Sequence, residues 1–485
     1  MKVTLVGTND RSGGAARAMY RLHLSLLSQG IESRILCLYK STNDIHSNEI
    51  IKYNYPILSH QKFPFLVDLI EENRTPVSNT LFSYTDLHAN IETHPLILDS
   101  DVINLHWTNF FLSVKDIGKL LYLNKKIIWT LHDEWAYTGG CHYTSGCNEF
   151  LNNCKNCIQV NSNITSLPEL LFLEKNNNYS NDIELVAPSN WLAKKAKTSP
   201  LFKNSRVHVI ANSLESDWFL RFDKGLIRNK FGFSSNCFVV GFGADSIIEK
   251  RKGISYLIEA FRILMLDQEW KSAFESKEIV FVFFGNYSDR NIELENFALH
   301  LGSFSDDREI SEIYQMMDLF VIPSLEDNLP NTMLESMASS TPVLGFPVGG
   351  ISETICHNEN GFLTDSISAN SLAKEIYRIW KNISIREKIS DMAYRFAQNQ
   401  FSSGKQAKAY IKLFIPNSEA LRYQEEIDFV YKENLRSAIN QKLNHIRTAY
   451  SRFISKAELK KRILNILFKS KFLNILIQKI ISRTK

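Results

Sequence analysis

Residues 323–338 read Pro323-Ser324-Leu325-Glu326-Asp327-Asn328-Leu329-Pro330-Asn331-Thr332-Met333-Leu334-Glu335-Ser336-Met337-Ala338. An apolar strand is expected to end at Ile322 and a helix to start near Asn331. Such a junction sets orphan N–H groups at the carboxyl end of a parallel strand, where they and the helix dipole favour an anion such as a diphosphate. Asp327 and Glu335 stand eight apart, one ahead of the helix and one inside it. A carboxylate inside the first turns can accept two hydrogen bonds from vicinal hydroxyls, the pattern that a ribose offers. Asn328, Leu329, Pro330 and Asn331 connect the two acids and are candidate ligand contacts. The plainer reading is an ordinary N-capped helix with Leu334, Met337 and Ala338 turned to the core.

Three further segments carry chemistry. Glu249-Lys250-Arg251-Lys252-Gly253 puts three cations at a strand-to-helix turn, well suited to phosphate oxygens or simply a solvated basic turn. Gly13-Gly14-Ala15-Ala16-Arg17 follows the first strand, where glycine lets backbone approach a ligand, though it is not a full dinucleotide fingerprint. Thr130-Leu131-His132-Asp133-Glu134-Trp135 ends another strand, placing His132 where it can bond sugar hydroxyls, move protons near neutral pH, or be held structurally by Asp133. Asn104-Leu105-His106-Trp107 ends a neighbouring strand. Cys141, Cys147, Cys154 and Cys157 allow either a thiolate zinc site or free buried thiols. No Asp-x-Asp stands in a setting that suits a metal-bound sugar nucleotide.

The elements that must position these residues alternate. Strands are expected at Lys2–Val6, Ile31–Leu38, Asp101–Leu105, Lys126–Leu131, Ile183–Ala187 and Arg206–Ile210. A second series follows at Phe238–Phe242, Ile279–Phe284, Leu319–Ile322 and Pro342–Gly345. Helices are expected at Ala15–Leu27, Gly253–Leu264 and Ile310–Met317. The fold class is therefore α/β, with parallel sheets covered on both faces. A length of 485 residues suits two such domains. They are set at 1–211 and 237–400, joined by a linker over 212–236, with a return helix and a basic helical tail over 401–485.

Charge separates the tail from the body. Residues 436–485 hold 13 Lys or Arg against the single acid Glu458, a net of +12. Since the whole chain carries +4, the remainder carries −8. Ile463, Ile466, Leu467, Leu473, Ile477, Ile480 and Ile481 share one side of a helix interspersed with lysines. That pattern suits peripheral contact with an anionic membrane, or packing on the body or a partner. The acidic body gives no reason to expect nucleic acid. With no signal-peptide pattern and no run of eighteen apolar residues, the expectation is a cytoplasmic chain, peripheral on the inner face of the cell membrane.

The 323–338 stretch resembles the E-x7-E region of the retaining glycosyltransferases of family four, which adopt the GT-B fold of two Rossmann-like domains facing across a cleft. The resemblance implies that Glu335 binds the nucleotide ribose. It also implies that a carboxylate sits near the donor sugar, at Asp327, one methylene shorter than the family's Glu, or at adjacent Glu326. The 249–253 turn is similar to the family's R-K-G signature, so Lys252 would meet the donor diphosphate. The Arg common after the preceding strand is replaced here by Gly243-Ala244-Asp245, for which Arg251 would compensate. Gly13 and Gly14 match the loop that closes on the donor, His132 the cleft histidine, and Gly302-Ser303-Phe304 the loop that meets the base. Val348–Glu353 is similar to the following Gly-Gly turn. Within the family, Thr138-Gly139-Gly140-Cys141-His142-Tyr143 looks like enzymes of exopolysaccharide, O-antigen and colanic-acid assembly. The implied activity moves a sugar from a nucleotide diphosphate sugar to a saccharide or lipid-linked saccharide, with no cofactor and no catalytic metal. A sugar-nucleotide epimerase or hydrolase, and a non-catalytic scaffold, are the rival readings.

Overall fold

Buried parallel strands have no polar face, so they read as unbroken apolar runs, and these runs form two separate sheets. The computed structural model describes residues 1–50, 63–84, 89–179, 183–247, 249–286 and 293–415. The chain divides into a unit Met1–Pro416 and a unit Asn417–Lys485. The tail expected over 436–485, with its membrane contact, lies outside the described residues.

The first sheet contains β1 (Lys2–Asn9), β2 (Glu32–Tyr39), β3 (Ser47–Glu49), β4 (Val102–Leu105), β5 (Lys126–Thr130), β6 (Glu184–Ala187) and β7 (Val207–Val209). Their spatial order is β3-β2-β1-β4-β5-β6-β7, all parallel. The second contains β8 (Phe238–Ser246), β9 (Ile279–Asn286), β10 (Ala298–His300), β11 (Leu319–Ile322), β12 (Val343–Gly345) and β13 (Phe362–Leu363). Its order is β10-β9-β8-β11-β12-β13, again parallel. Both sheets reverse their winding once, between β1 and β4 and between β8 and β11. Open α/β sheets bind ligands at such switch points, beyond the carboxyl ends of the strands. The two-sheet α/β architecture read from the sequence is present. The edge strands β3, β10 and β13 were not foreseen, being two or three residues long.

The chain passes between the sheets twice. Leu214 donates its N–H to Phe401 O (2.8 Å), so the outgoing and returning segments run side by side. Ser213 Oγ and Gln406 Oε1 add a 2.7 Å bond there. The returning helix Ser403–Phe414 then packs on the first sheet, where Ala407, Tyr410 and Phe414 join Val3, Leu5, Met19 and Leu22 in one core. Tyr410 OH meets Thr130 Oγ1 of β5 at 2.9 Å. The last described helix therefore closes the core of the first domain. Phe414→Ala should destabilise that core by about 3–5 kcal/mol, read as a lower thermal unfolding midpoint with the second domain's transition unmoved.

Candidate active site

The carboxyl ends of the two sheets face each other across a cleft. One cavity of about 360 Å³ lies against Gly13, Gly14, Asn9, His106, Trp107 and Asp245. A second of about 320 Å³ continues from it past Gly14, Trp107 and Asp245 to His132, Arg251, Lys252 and the loop Asp327–Thr332. Ten of the sequence-predicted positions thus converge: Gly13, Gly14, His132, Arg251, Lys252, Asp327, Asn328, Leu329, Pro330 and Asn331. Glu335 and Phe304 do not line the cleft cavities. Phe304 is half-buried against the core of the second domain.

Asp327 is the acid that meets the cations. Its Oδ2 lies 2.8 Å from Lys252 Nζ and 2.9 Å from Arg251 Nη1. Burial alone would raise its pKa, but the two cations outweigh that and hold it at about 2, so the carboxylate stays ionised. Arg251 is a brace with its donors committed: Nε and Nη2 reach the carboxylate of Glu249 and Nη1 the carbonyl of Glu326. Its guanidinium also lies 4.2 Å over the Tyr143 ring. Lys252 is the more exposed of the two, and its ammonium is free to share a second anion. The helix Asn331–Ala338 starts without a side-chain cap, and its first residues, Asn331 and Thr332, line the same cavity. Glu326, the alternative first carboxylate, turns away. It accepts from Ser145 N at 2.9 Å and pairs with Lys195 at 3.3 Å, tying the second domain to the first.

Two glycine positions set this loop. Gly253 follows Lys252 at φ 70°, and a Cβ there would lie 1.8 Å from Pro323 O. The Gly349-Gly350 turn lets backbone approach from the other side, where added Cβ atoms would meet Asp327 O at 1.9 Å and Asn328 O at 1.6 Å. Only glycine permits both approaches.

On the facing domain, His132 Nε2 lies 2.9 Å from His106 Nδ1, with the rings stacked. Burial, only partly offset by Asp133, lowers His132 to about 4. Burial likewise pushes His106 well below its ordinary value. With the Asn104 amide turned so that its oxygen accepts from His106 Nε2 (3.2 Å), His106 Nδ1 is an acceptor and His132 must donate from Nε2. His132 is then a neutral ring with Nδ1 left as acceptor. It can orient a hydroxyl, but against the sequence expectation it moves no proton near neutral pH, because burial keeps the ring neutral and its Nε2–H is committed to His106.

Sequence reasoning missed several residues here. Asp133 bonds His142 Nδ1 at 2.6 Å and accepts Trp107 Nε1–H at 2.8 Å, while His142 Nε2 meets Ser83 Oγ at 2.8 Å. Tyr143 OH reaches toward Asp327 Oδ1 at 3.5 Å. Lys195 pairs with buried Glu134 beneath the same loop. Asp133, Glu134, Trp107, His142 and Tyr143 belong to segments already quoted, but Asp133 holds His142 and not His132; Ser83 and Lys195 carried no signal. Glu335 lies in a buried ionic group, bonded by Arg21 Nη2 at 2.8 Å. Among the described residues no three His, Cys, Asp or Glu side chains form a group that could hold a metal ion. The thiols of Cys141, Cys147, Cys154 and Cys157 are free, and Cys154 Sγ accepts Gly139 N–H at 3.1 Å.

Residues 244–396, from the end of β8 through β13 and most of the helix Ile383–Gln400, match the family described as glycosyl transferases group 1. These residues and the sheet before them together have the GT-B fold. HepE of Anabaena, solved with UDP-glucose, superposes with a TM-score of 0.57 at 14% identity over 85% of this chain and 99% of its own. The capsular polysaccharide biosynthesis glycosyltransferase CapM of Staphylococcus aureus is 26% identical over 231 residues, 45% of this chain and 58% of CapM. The putative colanic acid biosynthesis glycosyl transferase WcaC of Escherichia coli is 27% identical over 165 residues, 31% of this chain and 38% of its own length. The matched region thus spans between a third and three fifths of these two relatives.

The depressed histidines make acid sensitivity predictable. Burial holds His23, His94 and His132 at about 4, against about 6.5 in an unfolded chain. Between those values the unfolded state binds more protons, so stability falls as pH falls from 6.5 to 4. Asp327, at about 2, adds its own loss only below about 4. Thermal midpoints measured from pH 7 to 4.5 should decline, and less steeply in a His106→Gln, His132→Gln double variant. Parallel profiles would show that this pair does not contribute.

Proposed function

We propose that this chain is a glycosyltransferase that moves a sugar from a nucleotide diphosphate sugar to a hydroxyl of a saccharide in surface-polysaccharide synthesis. One observation carries the reading: Lys252, the ion pair it makes with Asp327, and an uncapped helix start lie together at the switch point of a group 1 transferase domain. The capsular and colanic acid roles named for CapM and WcaC, and the UDP-glucose bound to HepE, support the choice of donor and product class. In the reaction the bond from C1 of the sugar to the diphosphate oxygen breaks and a bond from C1 to the acceptor oxygen forms. The acceptor proton leaves to the departing diphosphate. Lys252 and the helix amides meet the negative charge that develops there, where such stabilisation is most effective. Glu335 holds the ribose hydroxyls, and neutral His132 accepts a hydrogen bond from a sugar hydroxyl. The cations do the work of charge neutralisation, so the transfer runs without a catalytic metal, and it retains anomeric configuration. The acceptor is lipid-linked and the enzyme works at the cytoplasmic membrane face, a reading supported by the net +12 of 436–485.

Purified protein should be stabilised by one family among UDP-, GDP- and ADP-sugars, and should release nucleotide only when a lipid-linked saccharide is added. Lys252→Ala should lower kcat/KM by about 10²–10³, and EDTA should leave the rate unchanged. Release without acceptor would favour an epimerase or hydrolase, and no response to any sugar nucleotide would leave a scaffold. Anionic liposomes should sediment the full chain more than a chain ending at residue 435; equal sedimentation would remove the membrane contact.

A further inference from the structure

Glu335 is walled off from the cleft although Asn331 and Thr332, within a turn of it, line the cavity. Its Oε1 is taken by an arginine of the opposite domain. Arg21, on the helix Gly14–Ser28, bonds Glu335 Oε1 through Nη2 at 2.8 Å. Its guanidinium also lies 3.3 Å from Glu215, 3.9 Å from Asp307 and 5.1 Å from the Trp218 ring centroid. Arg17 and Arg11 add contacts of 3.4 and 3.3 Å to Asp307. Side-chain exposure is 1% for Arg21 and 4% for Glu335, so no ligand hydroxyl reaches Oε1 while the guanidinium is present. Glu335 Oε2 is bonded by Tyr314 OH at 3.3 Å.

We propose that Arg21 competes with the donor ribose for Glu335 and so sets donor affinity. This rests on the transferase reading, in which Glu335 holds the ribose. In the ligand-free enzyme Arg21 occupies Oε1. Donor binding exchanges the guanidinium for ribose hydroxyls and parts the helix Gly14–Ser28 from the helix Asn331–Ala338. The coupling is reciprocal: by whatever factor the Arg21–Glu335 contact weakens nucleotide binding, bound nucleotide weakens that contact. Burial alone would disfavour the Arg21 charge, yet Glu335, Glu215 and Asp307 more than offset that. The released guanidinium keeps its two other carboxylates, so the exchange need not strand a buried charge.

The test is titration calorimetry on the full chain with UDP, GDP and ADP, each against its 2′,3′-dideoxy form. In Arg21→Met the preferred nucleotide should bind about tenfold tighter while its dideoxy form is unchanged, so that discrimination by ribose widens. Arg21→Lys, too short to keep the 2.8 Å contact, should move the same way by less and serves if Arg21→Met does not fold. Weaker binding of the ribonucleotide would overturn the proposal and make Arg21 a support for Glu335. Equal shifts of both forms would overturn it as general loosening. If the unaltered protein binds no nucleotide, the transferase reading itself falls and the competition with it.

Discussion

A carboxylate as buried as Asp327 can stay ionised only beside cations, and removing either partner of such a pair strands a charge in low dielectric. That constraint governs the loop between β11 and the helix Asn331–Ala338. Lys252 and Arg251 must come within hydrogen-bonding distance, so the 249–253 turn has to lie directly against the loop, and Gly253 lets it do so. Arg251 in turn needs its own carboxylate, Glu249, and that residue is fixed by Thr80 Oγ1 of the first domain at 2.6 Å. The charge balance of one loop therefore extends to the opposite wall of the cleft.

The contacts across the cleft share a chemistry. Thr80 with Glu249, Lys195 with Glu326, Ser189 with Asn328, Asn212 with Asn331 and Arg21 with Glu335 are all polar. Domains joined mainly by polar contacts separate more readily than those joined by an apolar interface. The apolar cores stay within each domain, except where Leu214 and the helix Ser403–Phe414 carry the chain across. In the proposed transfer, such an arrangement would let the cleft admit and release the donor and exclude water between those events.

The sequence made the central strands legible because burial on both faces leaves a continuous apolar run, as in Phe238–Phe242 and Ile279–Phe284. The short edge strands β3, β10 and β13 have no such run, and their pairing depends on the neighbour already being in place. Among site residues, those next to strand ends could be located, since a parallel strand delivers its carboxyl end to the cleft. The choice between Glu326 and Asp327 could not be made, because adjacent residues in a loop point opposite ways and only the partners decide. Arg21 was invisible as a site residue for a different reason. It reads as one of several polar positions on an amphipathic helix, with Arg17, His23 and Ser25, and its partner lies 314 residues away.

The arrangement of His132 limits which groups can drive the chemistry. A ring held neutral by burial and bonded to a second neutral ring cannot serve as a proton donor at neutral pH, whatever its position in the cleft. Asp327 is equally unavailable as an acid, since its cations keep it ionised. With neither group able to protonate a leaving oxygen, the proposed transfer has to meet charge on the departing diphosphate with fixed cations and dipoles. Lys252 and the start of the helix Asn331–Ala338 are the groups placed to do this. Their readiness follows from the same ion pair that holds the loop: Asp327 keeps the ammonium at the cavity wall before any substrate arrives. In the proposed transfer the stabilisation is therefore built into the fold instead of being assembled at each turnover.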